Sequence, residues 1–333
     1  MIVPRIPAFG IGTAGIGNLY APVSDAVAAA TIAAAWEGGV RLFDTAPYYG
    51  FGLAERRLGA ALSAADPGQT AIISTKVGRV LDPELAPARE RYGFVDGDPF
   101  APRFDYGRDG VLRSFEESLT RLRRDRVNIL LAHDLGELTH GGDAETQMRA
   151  FLHGGYRAMV ELKEAGMVDA IGIGVNEIAV CESLIDRIDL DVVMIAGRYT
   201  LLDQQAGDRL LPLCLERGVR VISAAPYNSG ILAQPIEVEV HRHYDYVAAP
   251  AEMADRAAAI GTVCAEFGVD LPSAALHFPA SHAAVASVVA GMVGPSEVAS
   301  HLARTAARVP HALWEALAAR GLIPTRPSAG APA

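Results

Sequence analysis

Four side chains in this sequence have the types and spacing for proton transfer without a metal. Asp44 ends the apolar run Arg41-Leu-Phe-Asp44, and Tyr49 follows it by five positions. Lys76 ends Ile72-Ile-Ser-Thr-Lys76, and His133 ends Ile129-Leu-Leu-Ala-His133. Each residue taken alone has an ordinary explanation: a turn-capping Asp, a solvated Lys, a His satisfied by a local hydrogen bond. Their coincidence on successive strand ends, with a Tyr in the loop between, argues for one site. Tyrosine ionises near a pKa of about 10, so it is a poor acid or base at neutral pH. A nearby ammonium favours the phenolate and lowers that value. Lys76 can supply the charge, Asp44 can hold Lys76 in place, and His133 can orient a substrate oxygen by a hydrogen bond. Tyr49 then gives or takes a proton while hydride moves to or from a nicotinamide. No H-E-x-x-H or comparable ligand set is present, and no metal is expected.

These residues converge only if their strands open onto one mouth. Compact apolar runs rich in Val and Ile lie at 8–12, 40–44, 71–76, 127–132, 168–174, 192–196, 219–224 and 285–290. Such runs read as strands buried on both faces of a parallel sheet. Helical patterns follow at 24–38, 52–63, 110–124, 147–166, 177–187, 207–218, 250–268 and 295–308. The first opens on an N-cap serine and ends at glycine. This alternation predicts an α/β fold, a (β/α)8 TIM barrel, in preference to a doubly wound open sheet. One domain is expected over 1–323, with a flexible Pro/Ala/Ser/Gly-rich tail at 324–333. Segments 80–107 and 231–250 interrupt the alternation. The first carries Tyr92, Phe94, Phe100, Phe104 and Tyr106, the second His241, His243, Tyr244 and Tyr246. Both follow strand ends at the C-terminal face, so long loops walling a substrate are expected there.

The bulk numbers narrow the function class. The chain has 333 residues, half of them hydrophobic, and a net charge of -10 with no long basic run. Nucleic-acid binding rests on Lys and Arg neutralising phosphates, so no nucleic-acid partner is expected. Cys181, Cys214 and Cys264 are far apart and lack C-x-x-C pairing, which suits buried thiols in a reducing compartment. No secretory signal and no run of about 18 apolar residues occurs. A cytoplasmic protein with a small-molecule substrate and no membrane partner is expected.

Gly10-Ile-Gly12-Thr-Ala-Gly15 matches G-x-G-x-x-G. The dinucleotide fingerprint needs its third glycine to open a helix. Ile16-Gly-Asn-Leu-Tyr-Ala-Pro22 is poor helix sequence, and the helix is expected to start near Ser24. Asp44 is too far on to be the acidic partner. The glycines read as a strand-end loop near a ligand.

Phe9-Gly-Ile-Gly-Thr13, Phe43-Asp-Thr-Ala-Pro-Tyr-Tyr-Gly50, Ser74-Thr-Lys-Val-Gly78 and Leu131-Ala-His-Asp134 together resemble the aldo-keto reductases, and the resemblance runs over nearly the whole chain. It implies a (β/α)8 barrel, a catalytic tetrad of Asp44, Tyr49, Lys76 and His133, and NAD(P) bound extended across the strand ends. Gly12 and Thr13 fall among the expected cofactor contacts. The usual Ser-Asn pair after the fifth strand is replaced by Ile171-Gly-Ile-Gly-Val-Asn176, which leaves Asn176 to take that role. The Gln of the sixth strand corresponds to Ala196 and the stacking Tyr of the seventh to Ala224, with Tyr227 as the substitute. Where many relatives carry Lys and Arg for a 2′-phosphate, this chain reads Gly291-Met-Val-Gly-Pro-Ser296-Glu297. A carboxylate accepts hydrogen bonds from free ribose hydroxyls and repels a phosphate, so NAD is expected over NADP. The bland reading is that Glu297 only complements a helix N-terminus.

Within that family the sequence is most similar to the bacterial aldose 1-dehydrogenases acting on L-fucose, D-arabinose or L-galactose, with pyridoxal 4-dehydrogenase in the same group. The resemblance implies oxidation of a cyclic hemiacetal to a lactone, Tyr49 taking the anomeric proton as base. Tyr20 and Tyr48 are the expected substrate contacts beside His133, and Trp36 is expected in the core. Arg198 and Tyr199 also follow a strand end, where either is expected to touch ligand or to pack the rim. The competing readings are an NADPH-dependent carbonyl reductase and a non-enzymatic channel accessory subunit.

Overall fold

A computed structural model of the protein describes residues 5–234, 243–244 and 247–324. Positions 325–333 of the expected tail, with His241 and Tyr246, lie outside the described residues. Eight parallel strands close into a barrel: β1 (Phe9–Gly12), β2 (Leu42–Asp44), β3 (Ile72–Val77), β4 (Ile129–His133), β5 (Ala170–Val175), β6 (Val192–Ala196), β7 (Arg220–Ala224) and β8 (Val285–Gly291). Each strand pairs with its sequence neighbours, and β8 pairs with β1 to close the ring. The main helices around it are α1 (Asp25–Glu37), α2 (Leu53–Ala65), α3 (Arg108–Leu122), α4 (Tyr156–Glu164), α5 (Ile178–Ile185), α6 (Leu210–Arg217), α7 (Ala251–Glu266), α8 (Leu271–Ala280), α9 (Pro295–Thr305) and α10 (His311–Ala319). No single described helix is long and apolar enough to cross a membrane.

The two-residue period of a strand decides which side chains meet inside. Leu42 and Asp44 share one face of β2, while Phe43 between them packs outward with the helices. On β4 the inward set is Ile129, Leu131 and His133; Leu130 and Ala132 face the helices. The same parity puts Ile72, Ser74 and Lys76 on one face of β3, with Ile73 and Val77 in the outer core. Aliphatic side chains from Leu42, Ile129, Leu131, Val192, Met194, Ile222 and Val289 fill the lumen. Asp44, Lys76 and His133 are the polar residues that cap this filling at the C-terminal end.

Several expectations change in detail. Segment 80–107 is not a loop. Arg79–Pro83 pairs antiparallel with Phe100–Phe104, and Glu90–Arg91 pairs with Phe94–Val95, giving a folded ribbon. Two further helices, α8 and α10, add to the expected set. Asp270 caps α8, its side chain accepting from the Ser273 N–H, and Pro272 sits in the first turn where no N–H is needed. The expected helix at 147–166 is divided by a π-turn, Phe151–Gly155, ahead of α4. The three cysteines are buried and free.

Candidate active site

Tyr49 reaches the barrel mouth from the turn between β2 and α2. Its N–H donates to the Ala46 carbonyl at 3.1 Å, and its carbonyl accepts from Ala54 N at 3.1 Å. The turn leans on the short Gly15–Gly17 helix. A Cβ at Gly17 would come within 2.9 Å of the Tyr49 carbonyl carbon, so no larger residue fits there. The Gly-rich segment thus supports the tyrosine loop. The adjacent helix α1 starts at Asp25, capped by Ser24, with no glycine fingerprint at its N-terminus.

The four expected residues meet. Lys76 Nζ donates to both Asp44 oxygens, at 3.0 and 2.8 Å, and to the Thr45 carbonyl at 2.7 Å. Ser74 Oγ donates to Asp44 Oδ1 at 2.9 Å. Lys76 Nζ lies 4.8 Å from the Tyr49 ring centre. The Tyr49 and His133 rings stand edge to face, 5.9 Å apart. Tyr106 donates its hydroxyl to the His133 carbonyl at 2.5 Å and so fixes the backbone that carries the imidazole.

Burial governs the protonation states. It opposes charge on Lys76, but Asp44 and the Tyr49 phenol outweigh it and the ammonium sits above its ordinary value. Burial raises the Asp44 carboxyl against the pull of Lys76 and Ser74. The Tyr49 phenol ends above its ordinary value: burial raises it and Lys76 only partly offsets this. That corrects the expectation drawn from the ammonium alone. Burial, then the charges of Arg79 and Lys76, pushes His133 well down, so the imidazole is neutral near pH 7.

A cavity of about 470 Å³ opens above these residues. Asp44, Tyr49, Lys76 and His133 line it together with the expected Tyr20, Tyr48 and Asn176. Tyr20 is more than half exposed at the rim. Asn176 follows the end of β5, and Arg198 Nε donates to its carbonyl at 3.2 Å. Tyr199 is buried against Phe278, 5.5 Å between rings, and Trp36 packs on the outer core. Gly12 and Thr13 do not line the cavity. Gly12 pairs with Asp44 and Gly291 in the sheet, and Thr13 N donates to the Asp44 carbonyl at 2.9 Å. Arg79 and Asp134, not anticipated, do line it. Arg79 Nη2 meets Asp134 Oδ2 at 2.5 Å, with its guanidinium 3.7 Å from the Tyr48 ring centre. Phe94 from the ribbon joins Phe51 and Leu81 in a small apolar cluster that backs Tyr48 and Tyr49.

A second cavity of about 240 Å³ is lined by Tyr227, Gly291, Ser296 and Glu297. Two groups not anticipated, His301 and Arg304, share it. Glu297 Oε2 accepts from the Val293 N–H at 2.8 Å, so this carboxylate also holds its own loop. His301 is buried, its Nδ1 without a hydrogen-bond partner among the described residues. Space beside Gly291 is open, with nothing within 4 Å of an added Cβ. An orphaned ring nitrogen, an open strand end and a helix N-terminus are groups that fit a nucleotide's polar atoms.

A closed parallel barrel with a buried Asp–Lys pair, a tyrosine and a neutral histidine at its mouth defines a class of oxidoreductase. The chain belongs to the aldo/keto reductase family, which it matches over residues 8–318. It is an NAD(P)-dependent oxidoreductase acting on CH–OH groups. It is 40% identical over 328 residues to pyridoxal 4-dehydrogenase of Microbacterium luteolum, covering 96% of this chain and 95% of that protein. It is 38% identical over 326 residues to D-threo-aldose 1-dehydrogenase of a Pseudomonas species, covering 96% and 95%. L-galactose dehydrogenase of Arabidopsis thaliana is 29% identical over 303 residues, covering 90% and 84%. The fold is shared with a glycerol dehydrogenase of Gluconobacter oxydans, at TM-score 0.73, 18% identity and coverage of 99% and 98%.

Proposed function

We propose that the protein oxidises an aldose of the L-fucose, D-arabinose or L-galactose type at C1, with NAD, giving the lactone. The observation that carries this reading is Tyr49 beside the buried Lys76–Asp44 pair, lining a cavity where Arg79, His133, Asp134 and Asn176 offer polar groups to a hydroxylated ring. A bound oxidised nicotinamide dinucleotide would supply the hydride acceptor. Burial holds the Tyr49 phenol above its ordinary value, so its own proton must first leave to solvent, and the phenolate then takes the anomeric hydroxyl proton as C1 gives up hydride. Lys76 stabilises the phenolate, and Asp44 holds Lys76 charged. The neutral His133 donates a hydrogen bond to the sugar oxygen and aligns it. Tyr227, Gly291, Ser296 and Glu297 are the residues that would hold the adenosine half. Glu297 supports NAD; Arg304, in the same cavity, is the group that weighs toward a 2′-phosphate.

Pyridoxal is the second reading. Tyr48, Tyr92 and Phe94 line the same cavity and offer aromatic faces to a pyridine ring. Both substrates are cyclic hemiacetals, and one tetrad serves either. The test is a panel of L-fucose, D-arabinose, L-galactose and pyridoxal with NAD, read by absorbance of the reduced cofactor. Turnover of an aldose at higher kcat/KM than pyridoxal is expected. Turnover of pyridoxal alone overturns the aldose reading in favour of the second.

A further inference from the structure

The residue after His133 is placed for a task of its own. Asp134 has a left-handed backbone, φ 51°, which Asp tolerates better than most residues. Its N–H donates to the Gly174 carbonyl at 2.9 Å, which ties this turn to the end of β5. Its side chain lines the substrate cavity and is about one-fifth exposed. Both protein contacts of the carboxylate fall on one oxygen: Oδ2 lies 2.5 Å from Arg79 Nη2 and 3.4 Å from His133 Nε2. Oδ1 has no hydrogen-bond partner among the described residues. Arg79 cannot swing away. It is buried, 3.7 Å from the Tyr48 ring centre and 5.0 Å from that of Phe104. The pair is therefore a fixed carboxylate, one oxygen held and one open, beside the imidazole that receives the reacting oxygen.

This inference rests on the aldose reading. We infer that Asp134, positioned by Arg79, accepts a hydrogen bond from the C2 hydroxyl of the aldose and so sets which sugars the site takes. Oxygens on adjacent carbons of a sugar ring lie about one hydrogen-bond length apart. A sugar whose O1 meets His133 Nε2 therefore carries its C2 hydroxyl to the neighbouring carboxylate. A hydroxyl–carboxylate bond is charge-assisted and stronger than a neutral one. An analogue lacking the hydroxyl leaves Oδ1 without that partner in the occupied cavity.

The experiment compares D-arabinose with 2-deoxy-D-ribose, the same pentose without its C2 hydroxyl, using the whole protein and NAD. Removing that electron-withdrawing hydroxyl makes C1 a better hydride donor, so chemistry alone favours the deoxy sugar. The expected result is the reverse: kcat/KM at least about tenfold lower for the deoxy sugar. Asp134→Asn should lower kcat/KM for D-arabinose by about tenfold or more, chiefly through KM, and bring the two sugars within about threefold of each other. A structural role alone would depress both sugars equally and keep the ratio, which overturns the inference. A ratio near one in the unaltered protein overturns it too, and decides the matter if the variant does not fold. No turnover of any aldose removes the aldose reading as well.

Discussion

Lys76 Nζ lies 4.8 Å from the centre of the Tyr49 ring while both Asp44 oxygens hold it, at 2.8 and 3.0 Å. Lys76 and Asp44 are buried and Tyr49 is partly so, which makes the pair an electrostatic setting for the phenol. It also makes each partner costly to remove.

Asp44→Asn leaves the buried ammonium without its counter-charge. Breaking a buried pair from one side costs on the order of 3–5 kcal/mol. Urea unfolding of the variant should show a loss of that size, with turnover falling alongside. A loss under about 1 kcal/mol would mean that Lys76 is uncharged or solvated, contrary to the geometry.

The parity of β2, β3 and β4 is legible in the sequence. Alternation within Leu42–Asp44, Ile72–Val77 and Ile129–His133 puts Asp44, Lys76 and His133 on the lumen side, and the five-residue step places Tyr49. Burial is not legible there, and for that reason the Lys76 charge alone gives the wrong net direction for the Tyr49 phenol. Arg79 and Asp134 each lie within three residues of a named site residue, yet their contact forms across two strand ends and a ribbon. The ribbon's β pattern is masked by Pro83 and Pro102, which read as loop. Pro272 and Pro279 hide α8 in the same way. His301 and Arg304 do carry a sequence signal: four and seven positions after Glu297, they share its face of a helix.

Cofactor choice turns on that face. Glu297→Arg removes a carboxylate and adds a second guanidinium beside Arg304. Dissociation constants measured by fluorescence should shift toward NADP by about tenfold or more relative to NAD. An unaltered protein that already bound NADP tenfold more tightly would contradict the proposed NAD preference.

Acid should destabilise the fold by a predictable route. Burial, with Arg304 adding to it, pushes His301 down to about 4 from its ordinary 6.5. A ring neutral in the fold but free to protonate in the unfolded chain contributes stability that is present above 6.5 and lost as pH falls through about 4. His133 acts in the same direction. Unfolding free energy should fall over this window, and His301→Gln should remove up to about 1.4 kcal/mol per pH unit of the slope. An unchanged slope would show His301 protonated or solvated in the fold.

Turnover of Tyr49→Phe tests the central claim most directly. The change removes one hydroxyl and almost no volume, so fold and cofactor affinity should stay near those of the unaltered protein. With the proton acceptor gone, kcat should drop by about three orders of magnitude or more. A Tyr49→Phe variant that turned over its aldose within about tenfold of the unaltered rate would contradict the assignment of Tyr49 as the base.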